Sequence, residues 1–139
     1  MPNRAERLLV LVLRMAGGLE ALAIFPAVMP RSWMAAVHEL IGLGQFPPGP
    51  VVEYLARSVS AFYALNGGLA LVVSTDVRRY TTLVTYQAVA AMAFGLLILA
   101  TDLSVGMPWW WTLGEGPFLV ALGIVLLALQ RKAREEKPC

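Results

Sequence analysis

Four long apolar stretches alternate with short polar ones along the chain, at about residues 8–29, 52–74, 81–101 and 110–130. Each is near the 20 or so residues that a helix needs to cross a hydrocarbon core roughly 30 Å thick. The connections between them carry helix-breaking or turn chemistry. Pro30 ends the first stretch and Pro47-Pro48-Gly49-Pro50 precedes the second. Thr75-Asp76 leads into an Arg78-Arg79 turn, and the third connection holds Asp102, Gly106 and Pro108. The pattern predicts one all-α domain over residues 1–139, an integral membrane four-helix bundle.

Between the first two spans, Trp33, Val37, Leu40 and Ile41 recur at helical spacing after Ser32, a suitable N-cap, with Gly42 and Gly44 ready to end the helix. This predicts a short amphipathic helix in the headgroup layer. The other outward connection carries Trp109-Trp110-Trp111, which suits an interfacial anchor belt, with an aromatic ligand pocket as the alternative.

Composition agrees with a membrane solvent. Residues are 58% hydrophobic and 14% charged, too apolar for a soluble domain of 139 residues to bury. The charges set the expected orientation. Arg4, Arg7, Arg78, Arg79, Arg131, Lys132, Arg134 and Lys137 fall on one side of a four-span arrangement, against Arg31 on the other. Basic residues favour the cytoplasmic side, so both termini are expected there. A rival signal-peptide reading, with cleavage near Ala21-Leu22-Ala23, fits poorly because Arg14 and Glu20 interrupt the apolar segment.

Charges within the spans narrow the candidate chemistry. Arg14 is roughly 9 Å inside and long enough to snorkel, with Gln87 as an expected partner. Glu20 lies roughly 18 Å in and needs a partner. Arg57 is the expected one, with Glu53 as a second carboxylate on the same guanidinium. Glu53, Arg57, Ser60 and Ala64 lie on one helical stripe that leads to Gly67-Gly68. Gly17 with Ala21, and Ala91 with Gly95, are small-residue pairs suited to close helix packing. The candidate ligand-binding or ion-pair cluster is therefore Glu20, Glu53, Arg57 and Ser60, with Asp102, Trp110 and Glu115 as an outer extension or as solvated ends. The Met-Pro pairs at Met29-Pro30 and Met107-Pro108 follow Gly18 and Gly95 at similar intervals, which hints at two duplicated hairpins.

Several functions find no support. His38 is the sole histidine and Cys139 the sole cysteine, so bis-histidine haem ligation and intrachain disulfides are excluded. His38 reads as an interfacial histidine on a half-exposed helix, with a weak metal site at His38, Glu39 and Glu53 as the less favoured alternative. There is no phosphate-binding loop, nucleophile elbow or HExxH, and no basic stripe for nucleic acid. No cofactor is expected. The segments Glu53-Tyr54-Leu55-Ala56-Arg57, Asp76-Val77-Arg78-Arg79-Tyr80 and Gly106-Met107-Pro108-Trp109-Trp110, in a four-span layout, resemble the small DoxX-like and related bacterial membrane proteins. That resemblance implies the fold, and for some relatives a link to quinone-coupled redox complexes. It transfers no ligand residue.

Three roles remain open from the sequence. The first is a non-enzymatic accessory or small-ligand-binding bundle, in a homo-oligomer or larger membrane complex. The second is a transporter or channel component using Glu20 and Arg57, and the third a small membrane enzyme acting on a lipid or quinone. With Cys139 replaced by serine, single cysteines at Ser104→Cys and Thr75→Cys should label from opposite sides of the membrane. Labelling from the same side would refute four crossings.

Overall fold

Local backbone chemistry sets the helices of this chain. The structure, a computed structural model, describes residues 3–135. The expected place of Lys137 and the tail reading of residues 136–139, with Cys139, lie outside them. Among the described residues there is no strand, and the helices are α1 (Arg4–Ala21), α2 (Ile24–Val28), α3 (Arg31–Leu40), α4 (Pro50–Val73), α5 (Thr81–Val105), α6 (Trp109–Gly114) and α7 (Gly116–Glu135). Four stretches, Arg4–Val28, Pro50–Val73, Thr81–Val105 and Trp109–Glu135, are long and apolar enough to cross a membrane.

Two expected spans are broken, each a few residues before a proline. In the first, Leu22 N–H donates to Leu19 and Ala23 N–H to Glu20, tight i→i−3 bonds that separate α1 from α2. Pro26 follows; it has no N–H to give Leu22, and its ring crowds that carbonyl. In the fourth, α6 gives way to α7 at Glu115, just before Gly116-Pro117, for the same reason. The third span instead runs longer than expected. Gly106, at φ 73°, takes the left-handed position that ends α5, and its N–H donates to the Asp102 carbonyl. Asp102 therefore belongs to the helix, not to a loop.

The short helices also start differently from expectation. Pro30, not Ser32, occupies the N-cap of α3, and Pro108 does the same for α6. Of α3, only Met34 is buried, whereas Trp33, Val37, Leu40 and Ile41 are all exposed.

The chain divides into two compact units, one of Met1–Arg14 with Val72–Cys139 and the other of Met15–Leu71. The first unit has a core of Leu9, Leu13, Val73, Val77, Val84, Ala88 and Leu126. Its helices α5 and α7 run antiparallel: Gly116 meets Gly95, Gly123 meets Ala88 and Met92, and Gln130 reaches Thr81 and Thr85. Buried Gln130 is satisfied at both ends, donating to the Thr81 carbonyl at 2.7 Å and accepting from Thr85 Oγ1 at 3.0 Å. Asn3 caps α1 by accepting from Glu6 N–H at 2.8 Å, and its amide donates to the Ala133 carbonyl. At the α4–α5 turn, Asp76 Oδ1 accepts from Arg79 N–H, while Arg78 forms a two-pronged pair with Glu6 at 2.8 Å per bond.

The second unit rests on a close backbone approach of α1 and α4. A Cβ on Gly67 would stand 2.5 Å from both the Gly17 carbonyl oxygen and the Ala21 nitrogen. Only glycine permits that contact. Gly17 and Ala21 are thus the small pair that packs; Gly18 has nothing within 4 Å of its Cβ position. Twelve residues then separate Gly17 from Met29, and twelve separate Gly95 from Met107, so the hairpin correspondence holds better from Gly17 than from Gly18. Gly67→Ala should lower stability in detergent by about 1–3 kcal/mol, since backbone would have to move. The neighbouring Gly68→Ala, with nothing within 4 Å, should change it by less than about 0.5 kcal/mol. Equal effects at both positions, read by thermal unfolding, would dismiss the close-contact argument.

Candidate functional site

The polar residues of the second unit gather around the first turns of α4. Pro50 opens that helix at the position where a missing N–H costs nothing. Glu53 and Arg57 then face each other one turn apart, with the acid toward the helix N-terminus, the favoured order for such a pair. Arg57 donates from Nε at 3.1 Å and from Nη2 at 2.9 Å to the same oxygen, Glu53 Oε1. Its remaining nitrogen, Nη1, donates to the Ala27 carbonyl at 3.0 Å. Ala27 sits in the last turn of α2, where carbonyls have no helical partner and carry partial negative charge. Arg57 therefore ties α4 to the end of α2.

Arg31, the first residue of α3, approaches the other Glu53 oxygen at 3.9 Å and lies 5.8 Å from the Phe46 ring centre. One carboxylate thus faces two guanidiniums. Arg31 and the Ala27 carbonyl were not among the expected participants. The Glu-to-Arg spacing of four was visible in the sequence, but the exposed end of α2 depended on the break before Pro26, which was not anticipated.

The expected Glu20–Arg57 pair does not form. Asn66 Nδ2 donates to Glu20 Oε2 at 2.7 Å instead. Position explains this. Arg57 meets the α1–α2 strand of the hairpin at Ala27, seven residues beyond Glu20, or roughly 10 Å at helical rise. Asn66 lies nine residues along α4 from Arg57, level with Glu20. The depth argument had placed Arg57 too close to the middle of the span. Ser60 is half-buried and joins none of the side-chain bonds among the described residues.

Arg14 and Gln87 also separate. Arg14 Nε donates to Ser74 Oγ at 3.4 Å, a long bond, whereas buried Gln87 Nε2 has no hydrogen-bond partner among the described residues. Asp102, Trp110 and Glu115 belong to the first unit. Asp102 is 6% exposed, against the expectation of a solvated end, and its Oδ2 has no partner among the described residues. The helix extension to Val105 accounts for its burial. Trp110 stacks edge-on against Trp111 at 5.8 Å and is partly exposed, while Trp109 is fully so. Glu115 is half-buried at the junction of α6 and α7.

No three His, Cys, Asp or Glu side chains converge among the described residues to hold a metal ion. His38 is engaged locally. Its Nδ1 lies 2.9 Å from the Gly44 carbonyl oxygen, which only accepts, so that nitrogen carries the proton; Phe46 packs edge-on against the ring. No protein-family model, curated protein or solved structure matches the chain.

A double-mutant cycle separates the two pairings. Glu53→Gln and Arg57→Gln should couple by about 1 kcal/mol in detergent, whereas Glu20→Gln and Arg57→Gln should add to within about 0.5 kcal/mol. Coupling of Glu20 to Arg57 larger than that of Glu53 would contradict the geometry.

Proposed function

We propose that this chain is a multi-pass protein of a bacterial cytoplasmic membrane, a four-helix bundle with both termini in the cytoplasm. Its role is that of a non-enzymatic accessory or small-ligand-binding component. The membrane part of this reading draws on the four long apolar helices and on what they leave outside. Leu19, Phe62, Leu97 and Ile124, one from each long span, are each more than half exposed. Lipid accepts such surface without cost, and water does not. Trp33 and Trp109, exposed on short helices that each follow a Met-Pro step, suit the interface better than the walls of a pocket.

The observation that favours an accessory role over transport is the use made of Arg57. Each of its three nitrogens donates within its own hairpin, to Glu53 or to the Ala27 carbonyl. A charge held in this way braces helices. A transport path through Glu20 and Arg57 would need the two to communicate, and Glu20 is bonded elsewhere. The bacterial setting, and any association with quinone-coupled complexes, rests on the resemblance to DoxX-like proteins.

Proteoliposomes carrying the protein and a trapped pH indicator test the role under an imposed membrane potential. Proton flux should match that of empty vesicles. Arg57→Gln should lower thermal stability and leave the flux where it was. A flux well above background that disappears with Arg57→Gln would replace the accessory reading with transport.

A further inference from the structure

Hydrogen bonds of the first unit gather cations at one end of it. Asn3 Nδ2 donates to the Ala133 carbonyl at 3.0 Å, which sets the start of α1 against the end of α7. Arg78 on Glu6 sets the α4–α5 turn against α1 as well. Arg4, Arg7, Arg78, Arg79, Arg131, Lys132 and Arg134, all exposed, therefore share that end. The described carboxylates among them are Glu6, held by Arg78, Asp76, which accepts from Arg79 N–H, and exposed Glu135. Among the described residues, no ion pair or hydrogen bond engages the side chains of Arg4, Arg7, Arg131, Lys132 or Arg134. One stripe of α1 carries this charge down into apolar surface. Arg4, Arg7, Leu11 and Arg14 follow at spacings of three, four and three, with Leu8 beside them. All are exposed, Leu8 by 42% and Leu11 by 54%, whereas Ala5, Leu9 and Leu13 are buried. Arg14 uses only Nε on protein, at 3.4 Å from Ser74 Oγ, and its two Nη groups have no partner among the described residues. Its Cα–Cβ bond tilts toward the helix N-terminus, and so toward Arg7, two turns or roughly 10 Å away.

We propose that this stripe binds an anionic phospholipid, its phosphate between Arg7 and Arg14 and its acyl chains along Leu8 and Leu11. The occupant follows from what lies together. Unpaired guanidiniums call for an anion, and a phosphate accepts from two of them at once. The exposed leucines between the arginines call for an apolar chain. A nucleic acid or an acidic peptide meets the first demand alone, whereas a phospholipid meets both. The surrounding cations set the preference among lipids. A zwitterionic headgroup brings its own ammonium into their field, and an anionic headgroup brings none.

The site rests on the membrane reading, and the experiment keeps the two apart. Membranes containing the chain are first washed with alkaline carbonate. Release of the protein into the supernatant ends the membrane reading and this site with it. Retained protein is purified in detergent and titrated with phosphatidylglycerol or phosphatidylcholine, bound lipid being counted by native mass spectrometry. Phosphatidylglycerol should bind tighter by about tenfold, and Arg7→Gln and Arg14→Gln should each weaken it by about fivefold. Arg31→Gln, which removes the same charge from α3, should change it by less than about twofold. Equal affinity for the two lipids, or equal losses with Arg7→Gln and Arg31→Gln, would sink the site and leave the membrane reading standing. Glycerol phosphate, a headgroup without chains, should not displace the lipid even in large excess; displacement would overturn the lipid in favour of a soluble anion. Arg7 bonds to no side chain or carbonyl among the described residues, so its variant tests the site even if Arg14→Gln, which loses the Ser74 bond, fails to fold.

Discussion

Gly67 has no side chain, and the backbone of α1 occupies the place where one would be. That contact, with the Gly17 carbonyl and the Ala21 nitrogen at 2.5 Å from the would-be Cβ, fixes the register of the first hairpin. The polar bonds from α4 to α1 and α2 follow from it. With Gly67 against Gly17 and Ala21, antiparallel helices bring Asn66 level with Glu20 and Arg57 level with Ala27. Seven residues on the α1–α2 side match nine on α4. The tight i→i−3 bonds between α1 and α2 explain part of that mismatch, since such turns rise about 2.0 Å per residue against 1.5 Å in an α-helix. The proline that breaks the span therefore also stretches it to reach the arginine.

The second hairpin solves the same packing problem with the same residue type. Gly95 and Gly116 meet backbone to backbone, and Gly123 lies against the Ala88 carbonyl one layer further along. Close backbone approach increases the dispersion contact between helices, and small residues make that approach possible. Both hairpins place a Met-Pro step twelve residues after the packing glycine, and in both the proline caps a short helix bearing exposed tryptophan. The correspondence is one of function as well as sequence: glycine brings the helices together, and proline turns the chain out of the span.

The number and approximate limits of the long apolar helices were legible because they depend on composition summed over about 20 residues. The α1 glycine contact was legible too, as a Gly17–Ala21 pair at the right spacing. What failed were inferences that needed depth to within one turn. Glu20 and Arg57 were matched by counting from nominal span ends, but span one is interrupted and Arg57 lies near the N-terminal end of α4. Asp102 was assigned to a loop because the polar sequence begins there, whereas a left-handed glycine four residues later keeps the helix going. Asn66 is the clearest loss. The sequence marks it as a hydrogen-bonding group within the second span, and only the register set by Gly67 identifies the carboxylate it serves.

The unit's polar groups differ in how fully they are satisfied, and the difference follows their depth. Near the N-terminal end of α4, Arg57 bonds to Glu53 and to the Ala27 carbonyl, and half-exposed Arg31 adds a second cation beside Glu53. Deeper in, Glu20 has a single neutral donor, from a side chain that faces outward. A group near the surface can leave a bond unmade, because water completes it. In the proposed membrane setting, a group at the level of Asn66 takes its remaining bonds from protein. The hairpin thus closes the charges of Glu53 and Arg57 on one another and leaves Glu20 with a single neutral donor.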